Sequence, residues 1–405
     1  MINVAILGYG TVGSGVYEII NKNNEIINKK SGETIKVKYV LDLREFPGDP
    51  VMDVLVHDYN VILNDEEVDI VAEVMGGVKP AYDFVKAALE AGKSVCTSNK
   101  ELVEKHGPEL IKIAKEHSRN FFFEASVGGG IPIIRPLIQC ITADDVNGIT
   151  GILNGTTYYI LTKMSKEGLD FDTVLKEAQD LGYAEKNPSA DVDGFDACRK
   201  IAILTSLAYG KDVDFSDIYT EGITKITDID FKYANAIGRS IKLFGSAKKV
   251  NGNVYAYVAP MMIDDTHPLY AVNDVFNGIL VNGNMLGDVM FYGSGAGKLP
   301  TASAVVSDIV DAVRNLNNNV EIVWSDEKQE IADFSTSKKK FFVRISGTVD
   351  SKMNEVEAVF GEVDTIELLD EADEFAFITN EMSETEYTAA AEKVEGIITR
   401  IRIEE

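Results

Sequence analysis

Cysteine is scarce in this sequence. The 405 residues include only Cys96, Cys140 and Cys198, an odd number of cysteines at wide spacing. A disulfide framework or a cysteine-rich metal site needs paired or closely spaced cysteines, so both classes are excluded. We therefore predict that the protein works in a reducing compartment.

Long apolar runs are also missing. No stretch approaches the roughly 18 apolar residues that a membrane-spanning helix needs. Met1 is followed at once by the strand-like run Ile2–Leu7, without the basic and apolar segments of a secretion signal. This pattern argues against a membrane protein. Together with the cysteine content, it predicts a cytoplasmic protein.

Basic residues are much fewer than acidic residues. Lys and Arg total 39 against 65 Asp and Glu, so the formal net charge is −26, and the acidic residues are densest after Lys340. Such a charge repels nucleic acids and anionic membranes. We therefore expect no polyanionic partner and look for a site that binds small molecules.

The chain is long enough for two or three domains, since 45% of its residues are hydrophobic. Over residues 2–125, strand-like runs alternate with helical patterns, which indicates a parallel sheet covered by helices. Residues 21–34 are polar and are expected to be a surface loop or an extension of the first helix. We predict an α/β protein with a Rossmann-type nucleotide-binding domain (1–130, plus a returning helix at 300–320), an α+β substrate and dimerisation domain (131–299), a linker (321–340) and a small α+β tail domain (341–405).

A glycine loop follows the first predicted strand. Gly8, Gly10 and Gly13 lie between an apolar strand and an apolar helical pattern. Glycines at these positions allow a tight turn and a close approach of the backbone to a pyrophosphate at the helix N-terminus. In this context the motif predicts a dinucleotide-binding site. A glycine turn without a nucleotide is the alternative.

Charged residues follow two further strands of this region. At the end of the second strand, Asp42 could bind the ribose 2′-hydroxyl of NAD, whereas Arg44 could accept the 2′-phosphate of NADP. Both are present, so the cofactor is NAD or NADP. Lys100 follows another strand, at the edge where ligands bind, and could face phosphate, nicotinamide or substrate. A solvated surface charge is the alternative for each of these residues.

Several acids and a lysine are clustered ahead of an apolar helix. If that helix begins near Asp193 as its N-cap, Asp196 and Lys200 share one face. The same face continues with apolar residues, so the pair should lie at a buried edge, a position suited to proton transfer. A surface salt bridge is the alternative. The nearby acids Glu185 and Asp191, in a loop without apolar residues, favour a catalytic site.

These features resemble the homoserine dehydrogenase family up to about position 320. That family reduces L-aspartate 4-semialdehyde to L-homoserine with NADPH or NADH, in the biosynthesis of threonine, methionine and isoleucine. The resemblance implies the same reaction and the same small-molecule substrates for this chain. The segments that carry it are Gly8–Gly13, Thr97–Lys100, Glu124–Gly128, Gly151–Thr157, Gly182–Lys200 and Gly295–Ser303.

The resemblance also implies roles for individual residues. Lys200 matches the proton donor, and Lys100 matches a lysine near the cofactor that assists catalysis. Glu185 and Asp196 match the positions that bind the amino and hydroxyl ends of the substrate, and Asp191 matches an acid that supports them. The resemblance also implies cofactor contacts at Thr11, Val12, Gly182 and Gly297, in addition to the expected contacts at Gly8, Gly10, Gly13 and Arg44. It further implies a sodium site, formed largely by backbone carbonyls, at Glu124, Val127, Gly129 and Ile131.

The tail from Phe341 resembles an ACT-type regulatory domain in its length and position. Residues 349–354 lack the glycine turn and the aliphatic pair that usually open the first helix of that domain. We therefore do not expect threonine feedback through that site.

The sequence also allows two other functions and predicts one assembly. The chain could be another amino-acid-linked dehydrogenase, or a nucleotide sensor without catalysis, although the acid–lysine cluster argues against a sensor. The apolar runs Pro268–Val281 and Ile131–Ile141 predict a homodimer interface. Core packing within one chain is the alternative for these two runs.

Overall fold

Strands and helices alternate along the first part of the chain in the computed structural model, which describes residues 1–371 and 373–405. The strands are β1 (Ile2–Leu7), β2 (Ile35–Leu41), β3 (Leu55–Val56), β4 (Val68–Glu73), β5 (Ser94–Thr97), β6 (Phe121–Phe122), β7 (Val146–Ile152), β8 (Tyr219–Thr220), β9 (Arg239–Val250), β10 (Asn253–Asp264), β11 (Phe276–Gly283), β12 (Gly287–Ser294), β13 (Lys338–Ser346), β14 (Asp364–Ile366), β15 (Glu374–Ile378), β16 (Met382–Ser383) and β17 (Ile397–Ile403). The helices are α1 (Thr11–Lys22), α2 (Asn24–Ser31), α3 (Tyr59–Leu63), α4 (Ala81–Glu90), α5 (Lys100–Glu116), α6 (Gly155–Glu167), α7 (Phe171–Asp180), α8 (Ser189–Val192), α9 (Phe195–Tyr209), α10 (Asp228–Ala236), α11 (Lys298–Arg314), α12 (Val349–Phe360) and α13 (Glu384–Ala391).

The described residues form two units, each made of three chain segments. Unit 1 consists of Met1–Asp145, Ala202–Phe215 and Phe291–Gln329, and unit 2 consists of Val146–Ile201, Ser216–Met290 and Glu330–Glu405.

A six-stranded parallel sheet organises unit 1. Its order is β3-β2-β1-β4-β5-β6, so the order reverses between β1 and β4. All six residues of β1 are buried, as expected for a strand with helices on both faces of its sheet. The register places Leu7 beside Leu41 and Glu73, so three strands end at one edge. Ligands bind at such an edge in folds of this type, and the predicted parallel, Rossmann-like sheet is confirmed.

Helix α11, which follows β12, belongs to unit 1 and packs on α1. A Cβ atom on Gly15 of α1 would lie 2.8 Å from the Cβ atom of Ala302 in α11, so the two helices touch through small residues. Lys298 and Glu18 add an ion pair at 2.8 Å on the exposed side. The buried face of α11 carries aliphatic residues such as Val305 and Ile309, which join the core under the sheet.

Unit 2 contains ten strands and the first half of β12 of a second, eleven-stranded sheet. Nine strands follow one another in the order β12-β11-β7-β9-β10-β17-β13-β15-β14, with β16 beside β13 and β8 beside β10. The longest pairing is the antiparallel hairpin of β9 and β10, which runs without a register shift from Arg239 and Asp264 to Val250 and Asn253. This second sheet supports the helices that carry the acid–lysine cluster.

The tail has the strand and helix order of a split βαβ fold. Its elements β13, α12, β14, β15, α13 and β17 form an antiparallel sheet in the order β17-β13-β15-β14. Strand β17 also pairs with β10, at Met261 with Arg402 and at Met262 with Ile403. The sheet of the tail is therefore continuous with the rest of the sheet in unit 2.

The structure differs from the sequence prediction in several elements. Residues 24–31 form a separate helix, α2, because Ile27 is buried and Gly32 ends the helix with φ +82°. The stretch 321–340 is not an open linker, since Ile322, Trp324 and Phe334 are buried in it. Helix α9 begins at Phe195, so Asp193 is not its N-cap. Residues 330–405 fall in unit 2 because of the β10–β17 pairing.

Apolar residues of the two runs that suggested a dimer interface are largely used inside the chain. Leu269, Val272 and Ile279 are buried in the first run, and Ile133 and Ile134 in the second. Core packing thus accounts for much of the apolar content of both runs, whereas Val275 and Phe276 of the first run are exposed, so the homodimer stays a prediction. Within the described residues, the structure has no helix with the length and apolar content of a membrane span.

Arg344 connects the tail to helix α10 inside unit 2. Its side chain is only 3% exposed and lies 2.7 Å from Asp230 and 2.9 Å from Glu374. Asp230 is itself fully buried and caps α10 together with Thr227. Removal of the cation would leave two carboxylates without their counter-charge.

We therefore expect Arg344→Met to lower the free energy of unfolding by about 3–5 kcal/mol, the range for breaking one side of a buried ion pair. Urea denaturation followed by circular dichroism measures the change. The matched control is Lys176→Met, which removes an exposed pair with Asp180 and should change the stability by less than about 1 kcal/mol. Equal losses in the two variants would contradict a structural role for Arg344.

Candidate active site

The glycine loop connects β1 to α1. Gly8 has φ +98°, and a Cβ atom on Gly13 would lie 1.9 Å from the carbonyl oxygen of Gly8, so position 13 accepts only glycine. No side chain of a described residue caps α1, which begins at Thr11. Gly297, with φ +121°, precedes α11 in the same uncapped manner. The first N–H groups of α1 can therefore bind an anion at the positive end of the helix dipole.

Asp42 and Arg44 lie side by side after β2. The Asp42 carboxylate accepts hydrogen bonds from the backbone N–H of Tyr9 at 2.8 Å and from the Arg44 Nε and Nη2 atoms at 2.9 Å. The hydrogen bonds from the Arg44 side chain hold the pKa of Asp42 below its usual range. Arg44 stays 62% exposed. Both residues that could select the coenzyme thus border the glycine loop through Tyr9.

A buried acid that the sequence analysis did not single out ends β4. The Glu73 carboxylate accepts hydrogen bonds from the Thr97 hydroxyl at 2.6 Å and from the Met75 N–H at 2.8 Å. Burial raises the pKa of Glu73. These bonds tie the ends of β4 and β5 together just before Lys100, which begins α5 after its N-cap Asn99. The only sequence signal for Glu73 is an acid at the end of a buried apolar strand.

Lys200 and Asp196 form a buried ion pair on α9. The Lys200 Nζ atom lies 2.8 Å from Asp196 Oδ2 and donates a second hydrogen bond, 2.7 Å long, to the carbonyl oxygen of Leu153. The two residues are 9% and 6% exposed. The structure thus has the predicted pair on one helix face at a buried edge.

A glycine on the neighbouring strand lets α9 come this close. A Cβ atom on Gly245 of β9 would lie 2.9 Å from the side chain of Leu153 and 3.3 Å from the Cβ atom of Ile201. The missing side chain lets the end of β7 and the first turns of α9 pack directly on β9. As a result, Lys200 reaches the backbone carbonyl of Leu153.

Asn154 joins the acids of this cluster, and the sequence analysis did not identify it as a site residue. Its Nδ2 atom donates to Asp191 Oδ1 at 2.6 Å and to Asp196 Oδ2 at 2.9 Å. Its Oδ1 atom accepts the N–H of Thr157 at 2.8 Å and so caps α6. One amide therefore fixes two carboxylates relative to a helix. The sequence signal that could have identified Asn154 is an asparagine directly before Gly155, at a strand-to-helix turn.

Glu185 and Gly182 lie on the loop after α7, and neither belongs to this hydrogen-bonded cluster in the part of the chain that the structure describes. Glu185 is exposed, and its backbone carbonyl accepts a 3.0 Å hydrogen bond from the Gln179 amide. Gly182 has φ +78° in an exposed turn. The cluster as observed thus consists of Lys200, its ion-pair partner Asp196, and Asn154, which joins Asp196 to Asp191.

The four residues predicted to bind sodium lie in a buried turn after β6. The Glu124 carboxylate accepts hydrogen bonds from the backbone N–H groups of Ile133 at 2.6 Å, Ile134 at 2.8 Å and Arg135 at 2.7 Å. A Cβ atom on Gly129, which has φ +58°, would lie 2.2 Å from the carbonyl oxygen of Gly295. Within residues 1–371 and 373–405, no group of three or more His, Cys, Asp and Glu residues could hold a metal ion. A cation here would therefore depend on backbone oxygens.

Two family models match this chain. The model described as "Homoserine dehydrogenase, NAD binding domain" matches residues 8–124, and the model described as "Homoserine dehydrogenase" matches residues 132–310. The homoserine dehydrogenase of Bacillus subtilis is 43% identical over 322 residues, which are 79% of this chain and 74% of that protein. That of Synechocystis is 43% identical over 327 residues, 79% of this chain and 75% of that protein. The chain belongs to the homoserine dehydrogenase family.

Solved structures of homoserine dehydrogenases share the fold. The enzyme from Thiobacillus denitrificans superposes with a TM-score of 0.91 at 32% identity and covers 100% of this chain and 98% of its own. That of Staphylococcus aureus at pH 7.5 has a TM-score of 0.82 at 33% identity, with coverages of 100% and 98%. A hyperthermophilic archaeal homoserine dehydrogenase in complex with NADPH has a TM-score of 0.65 at 30% identity, with coverages of 77% and 97%.

These matches confirm the predicted family and the predicted class of NAD(P)-dependent oxidoreductase. They favour a homoserine dehydrogenase over the sensor and over another amino-acid-linked dehydrogenase. The roles of single residues stay predictions, which variants can test.

Asn154 offers the first such test. Asn154→Ala should lower kcat/KM for L-homoserine by about ten- to a hundredfold, because two acids lose a hydrogen bond worth about 1–3 kcal/mol where it is buried. Initial rates of coenzyme reduction measure this. The control is Asn147→Ala, whose side chain is exposed and bonded only to that of Asn282 among the described residues; this variant should keep the wild-type value. A folded Asn154→Ala enzyme with unchanged kcat/KM would refute the positioning role.

Proposed function

We propose that this member of the homoserine dehydrogenase family catalyses the reversible reduction of L-aspartate 4-semialdehyde to L-homoserine with NADPH or NADH. The observation that carries the catalytic proposal is the buried pair of Lys200 and Asp196, joined by Asn154 to Asp191. A dehydrogenase of this type needs a proton donor beside groups that hold an amino acid substrate.

The residues around the glycine loop fit a dinucleotide. A Cβ atom on Gly10 would meet nothing within 4 Å, and this open position beside the uncapped N-terminus of α1 suits a pyrophosphate. We assign Gly8, Gly10, Thr11, Val12, Gly13 and Gly297 to this role, together with Gly182. When it is bound, the nicotinamide supplies the hydride that adds to the aldehyde carbon. Asp42 and Arg44 are the proposed determinants of the choice between NAD and NADP, and Lys100 is proposed to assist near the cofactor.

Lys200 is proposed to protonate the oxygen of the substrate carbonyl as the hydride adds to its carbon. An ammonium group has three N–H donors, and two of them are directed at Asp196 and at the carbonyl of Leu153. The third can point to the substrate oxygen. Because the pair is buried, the positive charge is available to stabilise the developing alkoxide with little screening by water. The proton then passes from Nζ to that oxygen, which gives the hydroxyl group of homoserine.

The acids are proposed to hold the other end of the substrate. Asp191 and Asp196 receive hydrogen bonds from a single amide and so have a fixed separation. Their carboxylates, with that of the exposed Glu185, provide the negative charge that an α-ammonium group requires. In this arrangement the acids orient the substrate, whereas Lys200 acts on its reacting oxygen.

A sodium ion is proposed at the turn 124–131, held by Glu124 and by the backbone carbonyls of Val127, Gly129 and Ile131. The donor set fits, since Val127 and Ile131 are buried and, among the described residues, no backbone N–H donates to any of these three carbonyls. Hard cations prefer oxygen ligands of this kind. Its effect would be to stabilise the turn that precedes Ile133.

The tail, the assembly and the location complete the proposal. The split βαβ order of the tail supports an ACT-like domain.

Exposed apolar residues support a homodimer: Val275 lies just before β11, and Met285 and Leu286 lie in the turn after it. Light scattering in solution would test this assembly. A cytoplasmic location and a place in threonine, methionine and isoleucine biosynthesis stay predictions.

The catalytic assignment is tested with Lys200→Met, which keeps the length of the side chain but removes the proton donor. We expect kcat for L-homoserine oxidation to fall by about 10²–10⁴-fold, the usual contribution of general acid–base catalysis. Coenzyme affinity, measured by fluorescence titration, should remain close to the wild-type value. The exposed Lys176→Met variant serves as the control and should keep full activity. An unchanged kcat in folded Lys200→Met would remove Lys200 from the mechanism.

A further inference from the structure

Glu73 is a buried acid at the carboxyl edge of the parallel sheet in unit 1, and the proposed mechanism gives it no role. It ends β4 and is fully buried. The strand register places it beside Leu7, the last residue of β1, and beside Thr97, the last residue of β5. The strand order reverses between β1 and β4, and ligands of such folds bind outside the carboxyl ends of the strands at this reversal. Glu73 therefore ends a strand directly beside the expected coenzyme site.

The turn at residues 74–77, which follows β4, packs against the glycine loop. A Cβ atom on Gly8 would lie 3.0 Å from the Cγ atom of Met75. Gly76 and Gly77 have φ +85° and +70°, and a Cβ atom on either would meet nothing within 4 Å. The turn thus contacts the glycine loop on one side, and its two glycines border open space.

A closed chain of hydrogen bonds links this turn to the residues that follow β5. The Thr97 hydroxyl donates to the Glu73 carboxylate at 2.6 Å and accepts the N–H of Asn99 at 3.0 Å. The Asn99 amide donates to the carbonyl oxygen of Gly77 at 2.6 Å. The Met75 N–H donates to the Glu73 carboxylate at 2.8 Å. The three side chains that take part are at most 5% exposed, so water competes little for these bonds.

Asn99 also determines where α5 begins. Its Oδ1 atom accepts the N–H of Leu102 at 3.1 Å, which makes it the N-cap, and Lys100 is the first residue of the helix. A change in the position of Asn99 would therefore move the backbone of Lys100. Through Thr97 and Asn99, the Glu73 carboxylate is connected to the lysine that is proposed to assist near the cofactor.

We propose that Glu73 is a positioning residue of the coenzyme site, which holds the turn 74–77 and the start of α5 at the separation that a bound coenzyme requires. This inference rests on the proposed coenzyme site at the glycine loop. Glu73 touches neither substrate nor coenzyme in this role and acts through the backbone of its turn and through Asn99. A carboxylate suits the role because it accepts several hydrogen bonds and donates none, so one group can join two loops.

The test is Glu73→Met, which keeps an unbranched side chain of similar length and removes both acceptor oxygens. We expect the Kd of the coenzyme that wild type binds more tightly, NADPH or NADH, to rise by about ten- to a hundredfold, because two buried donors lose their acceptor. Titration of coenzyme fluorescence measures the Kd. At saturating coenzyme, the KM for L-homoserine should stay within about twofold of wild type, since the acids proposed to hold the substrate are in unit 2. Glu73→Gln, which keeps one acceptor oxygen, should restore part of the affinity.

The matched control is Asn120→Ala, which removes buried hydrogen bonds at the opposite edge of the same sheet. Asn120 directly precedes β6, is 1% exposed and donates to the carbonyl oxygens of Asn315 and Asn318, both at 2.9 Å. This variant should lose stability in urea denaturation as Glu73→Met does. Its coenzyme Kd should nevertheless stay within about twofold of wild type, because the site of the change is distant from the glycine loop.

An unchanged coenzyme Kd in folded Glu73→Met, or an equal rise in Asn120→Ala, would overturn this inference alone. A wild-type chain that binds neither coenzyme would overturn the proposed function as well. If Glu73→Met does not fold, Thr97→Val takes its place, because it removes the hydroxyl that joins Glu73 to Asn99 and nearly preserves the shape of the side chain. Its coenzyme Kd should rise by about three- to tenfold, and an unchanged value would again overturn the inference.

Discussion

The buried ion pair of Lys200 and Asp196 is the interaction on which the proposed catalytic chemistry depends. Two charges at 2.8 Å, each less than a tenth exposed, are not favoured by stability alone, since desolvation can outweigh their attraction. The pair persists because the Leu153 carbonyl and the Asn154 amide supply further hydrogen bonds. A charge that is held in this way in a buried position suits the stabilisation of a developing alkoxide.

The scaffold explains how that geometry arises. Gly245 lets α9 approach β9, and the strand-to-helix turn at Asn154 brings a carbonyl and an amide to the same place. In unit 1, the glycine loop and the buried Glu73 shape the carboxyl edge of the parallel sheet in a comparable way. In each unit, a glycine permits a close approach, and a buried polar side chain ties neighbouring elements together.

The sequence could predict the features that depend on local spacing. The glycines at 8, 10 and 13 need only a strand before them and a helix after them, and Asp196 and Lys200 need only one helical turn. Asn154 and Glu73 could not be predicted, because their partners come from residues 24 to 42 positions away. The pairing of β17 with β10 and the burial of Trp324 in a polar stretch were not predicted either, because both depend on residues that are distant in the chain. A single sequence contains little information about contacts between residues that are far apart in the chain.

The most direct test of the proposed function is the substrate specificity of the wild-type enzyme, measured as initial rates of NAD and NADP reduction side by side. L-homoserine is compared with glutamate, malate and lactate at equal concentrations. We expect saturable reduction of at least one coenzyme with L-homoserine and little or none with the other three compounds. Coenzyme reduction that is absent with L-homoserine, or faster with one of the other acids, would contradict it.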